Sequence, residues 1–164
     1  MENKENYKKM VVKRRTSLAD AKNWVQENKK DGCVCPCCDR KKKVYKRALN
    51  AGMACELIKL FKVNKPEPEA FMAHYTFTST RSGEISKLRH WGLVEQKEKS
   101  PEDENKRTSG YWRITQRGID FVLRKVRVKG HIFMEDGKCV GYSNETTDIV
   151  EALGKKFDYN ELMG

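Results

Sequence analysis

Apolar residues recur at helical spacing in three stretches of the chain, and these stretches predict its main helices. The first helix is predicted over residues 18–29, and the second is a core helix that ends before Asn64. The third follows Thr115, a residue that can cap it. The apolar positions are Leu18, Ala21, Trp24 and Val25, then Tyr45, Leu49, Met53, Leu57 and Phe61, then Ile119, Val122 and Leu123. Each helix needs a partner surface, because burial of its apolar face supplies most of its stability.

Shorter elements are predicted between the core helix and the last helix. The Pro-Glu-Pro-Glu run at 66–69 can start a short helix over residues 69–73, since proline and carboxylates suit a first turn. Residues 76–80 predict either a strand or a turn. A further helix carries Ile85 and Leu88 on one face and ends at Gly92. Two strands follow, at 93–97 and 111–114, with a polar loop between them.

The two ends of the chain differ from this central region. Residues 1–16 lack apolar periodicity and predict a mobile basic arm. Beyond the last helix, the pattern predicts strands at 126–128, 131–134 and 139–142, a hairpin turn at 135–138 and a capped helix over 147–153. We therefore divide the chain into the arm (1–16), a helix with a cysteine segment (17–43), a central domain (44–125) and a C-terminal hairpin with a docking helix (126–164).

Two motifs stand at the ends of the predicted central strands: Trp91-Gly92-Leu93-Val94-Glu95 and Tyr111-Trp112-Arg113-Ile114-Thr115-Gln116-Arg117-Gly118. Gly92 permits a sharp turn from helix to strand, and Leu93 and Ile114 can pack beneath a hairpin. These motifs resemble the winged helix-turn-helix domains, especially MarR-like and PadR-like regulators, over roughly residues 44–125. The resemblance implies an α+β fold, a winged helix-turn-helix with an N-terminal helical, cysteine-containing extension and a small C-terminal β/α appendage.

The resemblance also implies binding to double-stranded DNA, with the predicted helix that carries Ile85 and Leu88 in the major groove and the wing, the predicted hairpin of strands 93–97 and 111–114, on the backbone or minor groove. It suggests either a transcriptional regulator or a phage-encoded DNA-binding factor, because the Cys-Pro-x-Cys segment followed by this domain is similar to small phage proteins. The expected contacts on and before the helix are Arg81, Ser82, Lys87, Arg89 and His90. Those on the wing are Lys106, Arg107 and Arg113.

The charge of +11 is distributed unevenly along the 164 residues. Residues 1–50 carry 15 basic and 6 acidic side chains, residues 51–130 carry 16 and 10, and residues 131–164 carry 3 and 7. The positive field is therefore strongest in the N-terminal third, where Arg14, Arg15, Lys41 and Lys42 are further candidates for contact with a polyanion.

Four of the six cysteines fall within six residues, at Cys33, Cys35, Cys37 and Cys38. Cys35 and Cys38 form a Cys-x-x-Cys pair, a spacing that turns two thiolates toward one zinc ion. Together with Cys33 and Cys37 they are the candidate metal ligands. Zinc needs four ligands, and the missing ones come from Cys33, Cys55, Cys139, His74 or His90, or from a second subunit that shares the ion. Reduced free thiols and a redox pair are the alternatives.

Sequence motifs of catalysis, such as phosphate loops and nucleophile elbows, are not found, and we expect no enzymatic activity. The chain has neither a long apolar run nor a signal-peptide core, which predicts a cytoplasmic protein without membrane contact. The acidic wing and acidic C-terminal segment support an alternative function, a winged-helix module that binds and modulates a host protein. A homodimer through residues 17–30 or 145–164 is a further open possibility.

Overall fold

The computed structural model describes residues 6–78 and 83–164 of the chain, and it has the expected α+β character. The chain forms two compact units. Unit 1 comprises the described residues of Met1–Arg47 together with Ile132–Gly141, and unit 2 comprises those of Ala48–His131 together with Tyr142–Gly164.

In the described part of the chain, the α-helices are α1 (Leu18–Asn28), α2 (Ala51–Asn64), α3 (Glu84–Lys87), α4 (Gln116–Val122), α5 (Ile149–Leu153) and α6 (Tyr159–Met163). The strands are β1 (Lys8–Lys9), β2 (Cys33–Val34), β3 (Lys41–Lys42), β4 (Tyr45–Ala48), β5 (Met72–Ala73), β6 (Val94–Gln96), β7 (Tyr111–Ile114), β8 (Val128–Lys129), β9 (His131–Glu135), β10 (Lys138–Tyr142) and β11 (Thr146–Thr147). Short 3-10 helices lie at His74–Thr76, Leu88–Trp91 and Pro101–Asp103.

Unit 1 is built from α1 and short strands around a small core. Ser17 caps α1 in a capping box with Asp20, as the sequence predicts, and Gly32 makes the turn into β2 with a φ of +100°. β2 pairs with β1 in parallel and with β3 antiparallel. The second sheet has the strand order β10-β9-β4. Its hairpin turn at Asp136 and Gly137, both with positive φ, confirms the predicted turn.

The core of unit 2 forms around α2, which packs against α3, α4, α5, α6, β5 and β7. Asn50 caps the helix by accepting a hydrogen bond from the Met53 backbone N–H at 3.0 Å. With neighbours on so many sides, the helix also buries polar residues, Glu56 and Asn64. Such groups must find hydrogen-bond partners inside the protein.

Asn64 joins the end of α2 to the three-stranded sheet of unit 2, whose order is β5-β7-β6. Its Nδ2 donates to the carbonyl oxygens of Glu67 and Ala70, both at 2.9 Å, and its Oδ1 accepts from the Ile114 backbone N–H at 2.8 Å. The side chain is fully buried. One residue thus fixes both the loop that follows α2 and the central strand of the sheet.

The first turn of α4 packs directly on the segment that precedes β6. Thr115 caps this helix by accepting a hydrogen bond from the Gly118 backbone N–H at 3.0 Å, which confirms the predicted cap. A Cβ at position 118 would collide with the carbonyl oxygen of Leu93 and would lie 2.7 Å from Ile114 Cγ1. Only glycine therefore allows this approach.

The C-terminal part of unit 2 attaches through polar contacts. The Arg127 guanidinium pairs with Glu151 at 2.7 Å and with Asp148, the N-cap of α5, at 3.2 Å. The Tyr159 hydroxyl of α6 donates to the Val122 carbonyl oxygen at 2.8 Å. Lys62 Nζ donates to the carbonyl oxygens of Leu162 and Gly164.

Three element predictions differ from the structure. Tyr45 lies in β4 and is exposed, because the Asn50 cap begins the helix only at Ala51. Residues 72–73 of the predicted short helix form β5, since Met72 and Ala73 pair with Trp112 and Tyr111 of β7. β1 lies inside the segment predicted as a mobile arm, because Lys8 and Lys9 pair with Cys33 and Val34. Of the predicted strand or turn at 76–80, residues 79 and 80 lie outside the described residues.

No helix within the described ranges is both long and apolar enough to cross a membrane.

Asn64→Ala should lower the free energy of unfolding by about 1–3 kcal/mol, because it leaves the buried Ile114 backbone N–H without a partner and removes two further hydrogen bonds. Urea denaturation followed by circular dichroism measures the change. Asn160→Ala is the control, since Asn160 is exposed on α6. Equal stability of the two variants would contradict the structural role of Asn64.

Gly118→Ala should also destabilise the protein, by about 1–3 kcal/mol, because the added methyl group overpacks the contact with Leu93. Gly130→Ala is the matched control, since a Cβ there meets its nearest atom at 3.7 Å, an ordinary contact distance. Thermal unfolding of the two variants provides the comparison. An unchanged melting temperature for Gly118→Ala would show that α4 does not require this close approach.

Candidate functional sites

A short helical segment, α3 continued by the 3-10 helix Leu88–Trp91, lies between α2 and the β6–β7 hairpin along the chain. Ile85, Leu88 and Trp91 are buried, so the inward face is the one that the sequence predicts. The N-cap position is Gly83, which has no side chain to cap the helix. Glu56 of α2 takes over this role, because its Oε2 accepts a hydrogen bond from the Ile85 backbone N–H at 2.8 Å.

Two side-chain hydrogen bonds fix the other end of this segment. Trp91 Nε1 donates to the Lys129 carbonyl oxygen at 2.6 Å, and the Tyr142 hydroxyl donates to the His90 carbonyl oxygen, also at 2.6 Å. Gly92 then turns the chain toward β6 with a φ of +69°, as expected from its position. The segment is therefore held at both ends by residues that are distant in sequence.

An open cleft of about 490 Å³ lies at this second end. It is lined by Arg89, His90, Trp91, Gly92, Arg117, Lys129 and Tyr142. Arg89, Arg117 and Lys129 are basic side chains and are exposed. Among the described residues, none of these three cations has a carboxylate within ion-pairing distance, and Arg89 instead donates to the neutral Gln96 side chain at 3.2 Å. We call this group of residues the cationic cleft.

His90 contributes a neutral imidazole to the cationic cleft near pH 7. Burial lowers its pKa, and the neighbouring Arg89 guanidinium lowers that pKa further. The positive charge of the cleft therefore comes from Arg89, Arg117 and Lys129. His90 is left able to donate or accept a hydrogen bond.

Several of the other cations predicted to contact DNA are already paired. Lys87 pairs with Glu84 at 2.7 Å, and Lys106 pairs with Asp103 at 2.5 Å. Arg113 pairs with Glu95 at 2.7 Å and with Glu69 at 3.3 Å, and in unit 1 Lys42 pairs with Asp136 at 2.6 Å. Lys41 lies over the Tyr7 ring at 4.9 Å, whereas Arg14, Arg15 and Arg107 are exposed. Arg81 and Ser82 lie outside the described residues.

Of the predicted contact residues that the structure describes, only Arg89 and His90 line the cationic cleft. Sequence reasoning missed Arg117, Lys129 and Tyr142 as site residues. Arg117 lies inside the Thr-x-x-Gly motif, whose local signal indicates only a helix cap. Lys129 and Tyr142 belong to separate strands and carry no periodic signal.

The cysteine segment of unit 1 forms a tight turn between β2 and β3. The Cys35 backbone N–H donates to the Arg40 carbonyl oxygen, and the Asp39 N–H donates to the Cys35 carbonyl oxygen, both at 2.9 Å. Asp39 adopts a φ of +57°, a left-handed conformation that Asp tolerates. We call residues 35–40 the cysteine turn.

The cysteines of this segment lie in different environments. Cys33 is buried, Cys35 is half-buried, and Cys37 and Cys38 are exposed. Hydrogen bonds from the backbone N–H groups of Cys37 and Cys38 lower the pKa of Cys35, whereas desolvation raises the pKa of Cys33 and of Cys37. Of these three thiols, Cys35 is therefore the one that most readily forms a thiolate, the form that binds metals. No set of three or more His, Cys, Asp or Glu residues in the described ranges could hold one metal ion.

Comparison of the chain with protein-family models, curated proteins and solved structures finds no match.

Proposed function

We propose that the chain is a winged-helix protein that binds double-stranded DNA and holds backbone phosphates in the cationic cleft. The order of elements supports the fold: α2, β5, a 3-10 turn, the helical segment 84–91, then the β6–β7 hairpin. The strand order β5-β7-β6 places the hairpin beside the strand that follows α2, which suits a wing. The DNA-binding role is an inference from the charges of this domain.

The observation that carries the proposal is the grouping of Arg89, Arg117 and Lys129 around one cleft, without a carboxylate partner among the described residues. Like charges repel one another, so this grouping costs free energy in the unbound protein. A phosphate oxygen placed among them would remove this repulsion and form charge-assisted hydrogen bonds. Arg89 and His90 also belong to the helical segment, so a phosphate in the cleft would orient that segment on the duplex.

The ion pairs of the wing change which residues we expect to contribute to affinity. Arg113 and Lys106 are paired with carboxylates of the hairpin and of residue 69, and would have to leave them to meet phosphate. Arg107, Arg14 and Arg15 are free of such pairs in the described part of the chain. Affinity should therefore come first from the cationic cleft and then from these exposed arginines.

Combined replacement of Arg89, Arg117 and Lys129 by alanine should weaken binding to a fluorescent DNA duplex and reduce its salt dependence. The slope of log K against log salt should become less negative by about 0.9 for each phosphate that the variant no longer neutralises. Fluorescence anisotropy at several salt concentrations measures both quantities.

The charge-matched control for this variant is Lys59→Ala, Lys65→Ala and Lys155→Ala, which removes three exposed cations of unit 2 outside the cleft. If the control and the cleft variant are weakened equally, binding depends on total charge and the cleft is not a phosphate site. If the full chain shows no salt-sensitive binding even at low ionic strength, the DNA-binding proposal is wrong.

Glu84→Gln should strengthen DNA binding, because it releases Lys87 from its ion pair at the start of the helical segment. We expect a gain of up to about fivefold, since a half-buried ion pair at the protein surface is worth about 1 kcal/mol. Lys87→Ala, in contrast, should weaken binding less than Arg89→Ala does. A larger effect of Lys87→Ala would contradict the order of contributions inferred from the ion pairs.

The same wing ion pairs favour a second candidate function, a winged-helix module that binds a protein. Carboxylates neutralise Arg113 and Lys106, so the hairpin presents a surface of mixed charge, which suits a protein partner better than a polyanion. A stable cellular partner that resists high salt, recovered without DNA, would favour this function.

A further inference from the structure

The cysteine turn is closed by two backbone hydrogen bonds and contains one pair of cysteines at the Cys-x-x-Cys spacing. The hydrogen bonds between Cys35 and residues 39 and 40 close the turn, and Asp39 adopts a left-handed conformation with a φ of +57° directly after Cys38. With Cys38 exposed, the pair can reach a metal ion at the protein surface.

The other cysteines and histidines do not complete a ligand set. All six cysteines and all three histidines belong to the described residues, and no three potential ligands in those ranges are grouped for one ion. The buried Cys33 thiol is directed at the Val25 carbonyl oxygen at 3.9 Å, and the Cys139 thiol is directed at the Gly141 carbonyl oxygen at 3.5 Å. Within the described ranges, two of the four ligand positions of a tetrahedral ion are therefore left unfilled.

We propose that Cys35 and Cys38 form one half of a structural zinc site, and that a second copy of this chain completes the site with its own Cys35 and Cys38. Structural zinc sites are tetrahedral and closed, and four thiolates are a common ligand set. The Cys35–Cys38 pairs of two copies related by a twofold axis supply these four thiolates. Such a dimer uses the same surface on both copies, and twofold dimers are the most frequent protein oligomers. Each thiol that binds as thiolate releases its proton to solvent.

The charges around the cysteine turn suit such a site. Four thiolates and one Zn²⁺ carry a net charge of −2, which would be unfavourable beside an acidic surface. Here the neighbouring side chains are basic: Arg40 and Lys41 adjoin the pair in sequence, and Lys22 and Lys42 act electrostatically on Cys37 and Cys38. The cations that would repel each other in a metal-free dimer are balanced by the anionic metal centre.

The test uses the full chain, purified under a reducing agent that does not bind zinc and dialysed free of excess metal. Elemental analysis should find about 0.5 zinc ion per chain, because one tetrahedral ion uses four cysteines. Sedimentation velocity should find a dimer that a strong zinc chelator converts to monomer and added Zn²⁺ restores. X-ray absorption should show four sulfur ligands at about 2.3 Å.

Cys35→Ser and Cys38→Ser should each abolish both zinc binding and dimerisation. Cys37→Ser and Cys139→Ser should leave both unchanged, and circular dichroism checks that all four variants are folded. If the variants at 35 or 38 do not fold, the metal stoichiometry and sulfur count of the unchanged protein still decide the question. One zinc ion per monomer, a mixed nitrogen or oxygen ligand set, a purified folded protein that binds no zinc, or a dimer that persists without metal would each overturn the proposal.

Discussion

The buried side chain of Asn64 is the polar contact on which unit 2 depends. A helix that is surrounded on most sides cannot end in a buried position unless its last polar groups and those of its neighbours are satisfied. Asn64 meets this requirement for two segments at once, the loop with Glu67 and Ala70 and the strand with Ile114. Glu56, earlier in α2, likewise satisfies a buried polar group: it accepts a hydrogen bond from the Ile85 backbone N–H and so caps the helical segment 84–91. The position of that segment therefore follows from the burial of α2.

Many of the cations lie in ion pairs, so the net charge of +11 does not show where the positive field of the protein is strongest. Carboxylates compensate Lys42, Lys87, Lys106, Arg113 and Arg127 locally. In unit 2, the cations that line the cleft lack such partners in the described residues, so the local field there is stronger than a count of residues suggests. In unit 1, basic residues lie near the Cys35–Cys38 pair. In the zinc site that we propose, they would balance the negative charge of the thiolates. One basic protein can thus present two chemically distinct cationic surfaces.

Sequence patterns predict those structural features that depend on residues close together in the chain. The caps at Ser17 and Thr115, the turn at Gly92 and the buried face of Ile85 and Leu88 all depend on residues a few positions apart. Strand pairing and ion pairing between segments that are distant in sequence cannot be predicted from such patterns. Tyr45 fits a helical period yet lies in a strand, and nothing in the segment around Arg113 shows that Glu95 stands opposite it in β6. The cleft draws residues from four segments, so no single window of sequence contains it.

The missing side chain at Gly118 has a consequence for where positive charge can reside. Because the first turn of α4 packs against the Leu93 carbonyl oxygen, Arg117, the residue before Gly118, lies beside the turn at Gly92. There, Arg117 Cδ would be 3.9 Å from a Cβ at position 92. Gly118 thus helps to determine the position of one guanidinium, and a single methyl group added there would move that charge without altering it. Such a variant can keep every charged residue of the cleft and still change the electrostatic potential of the cleft.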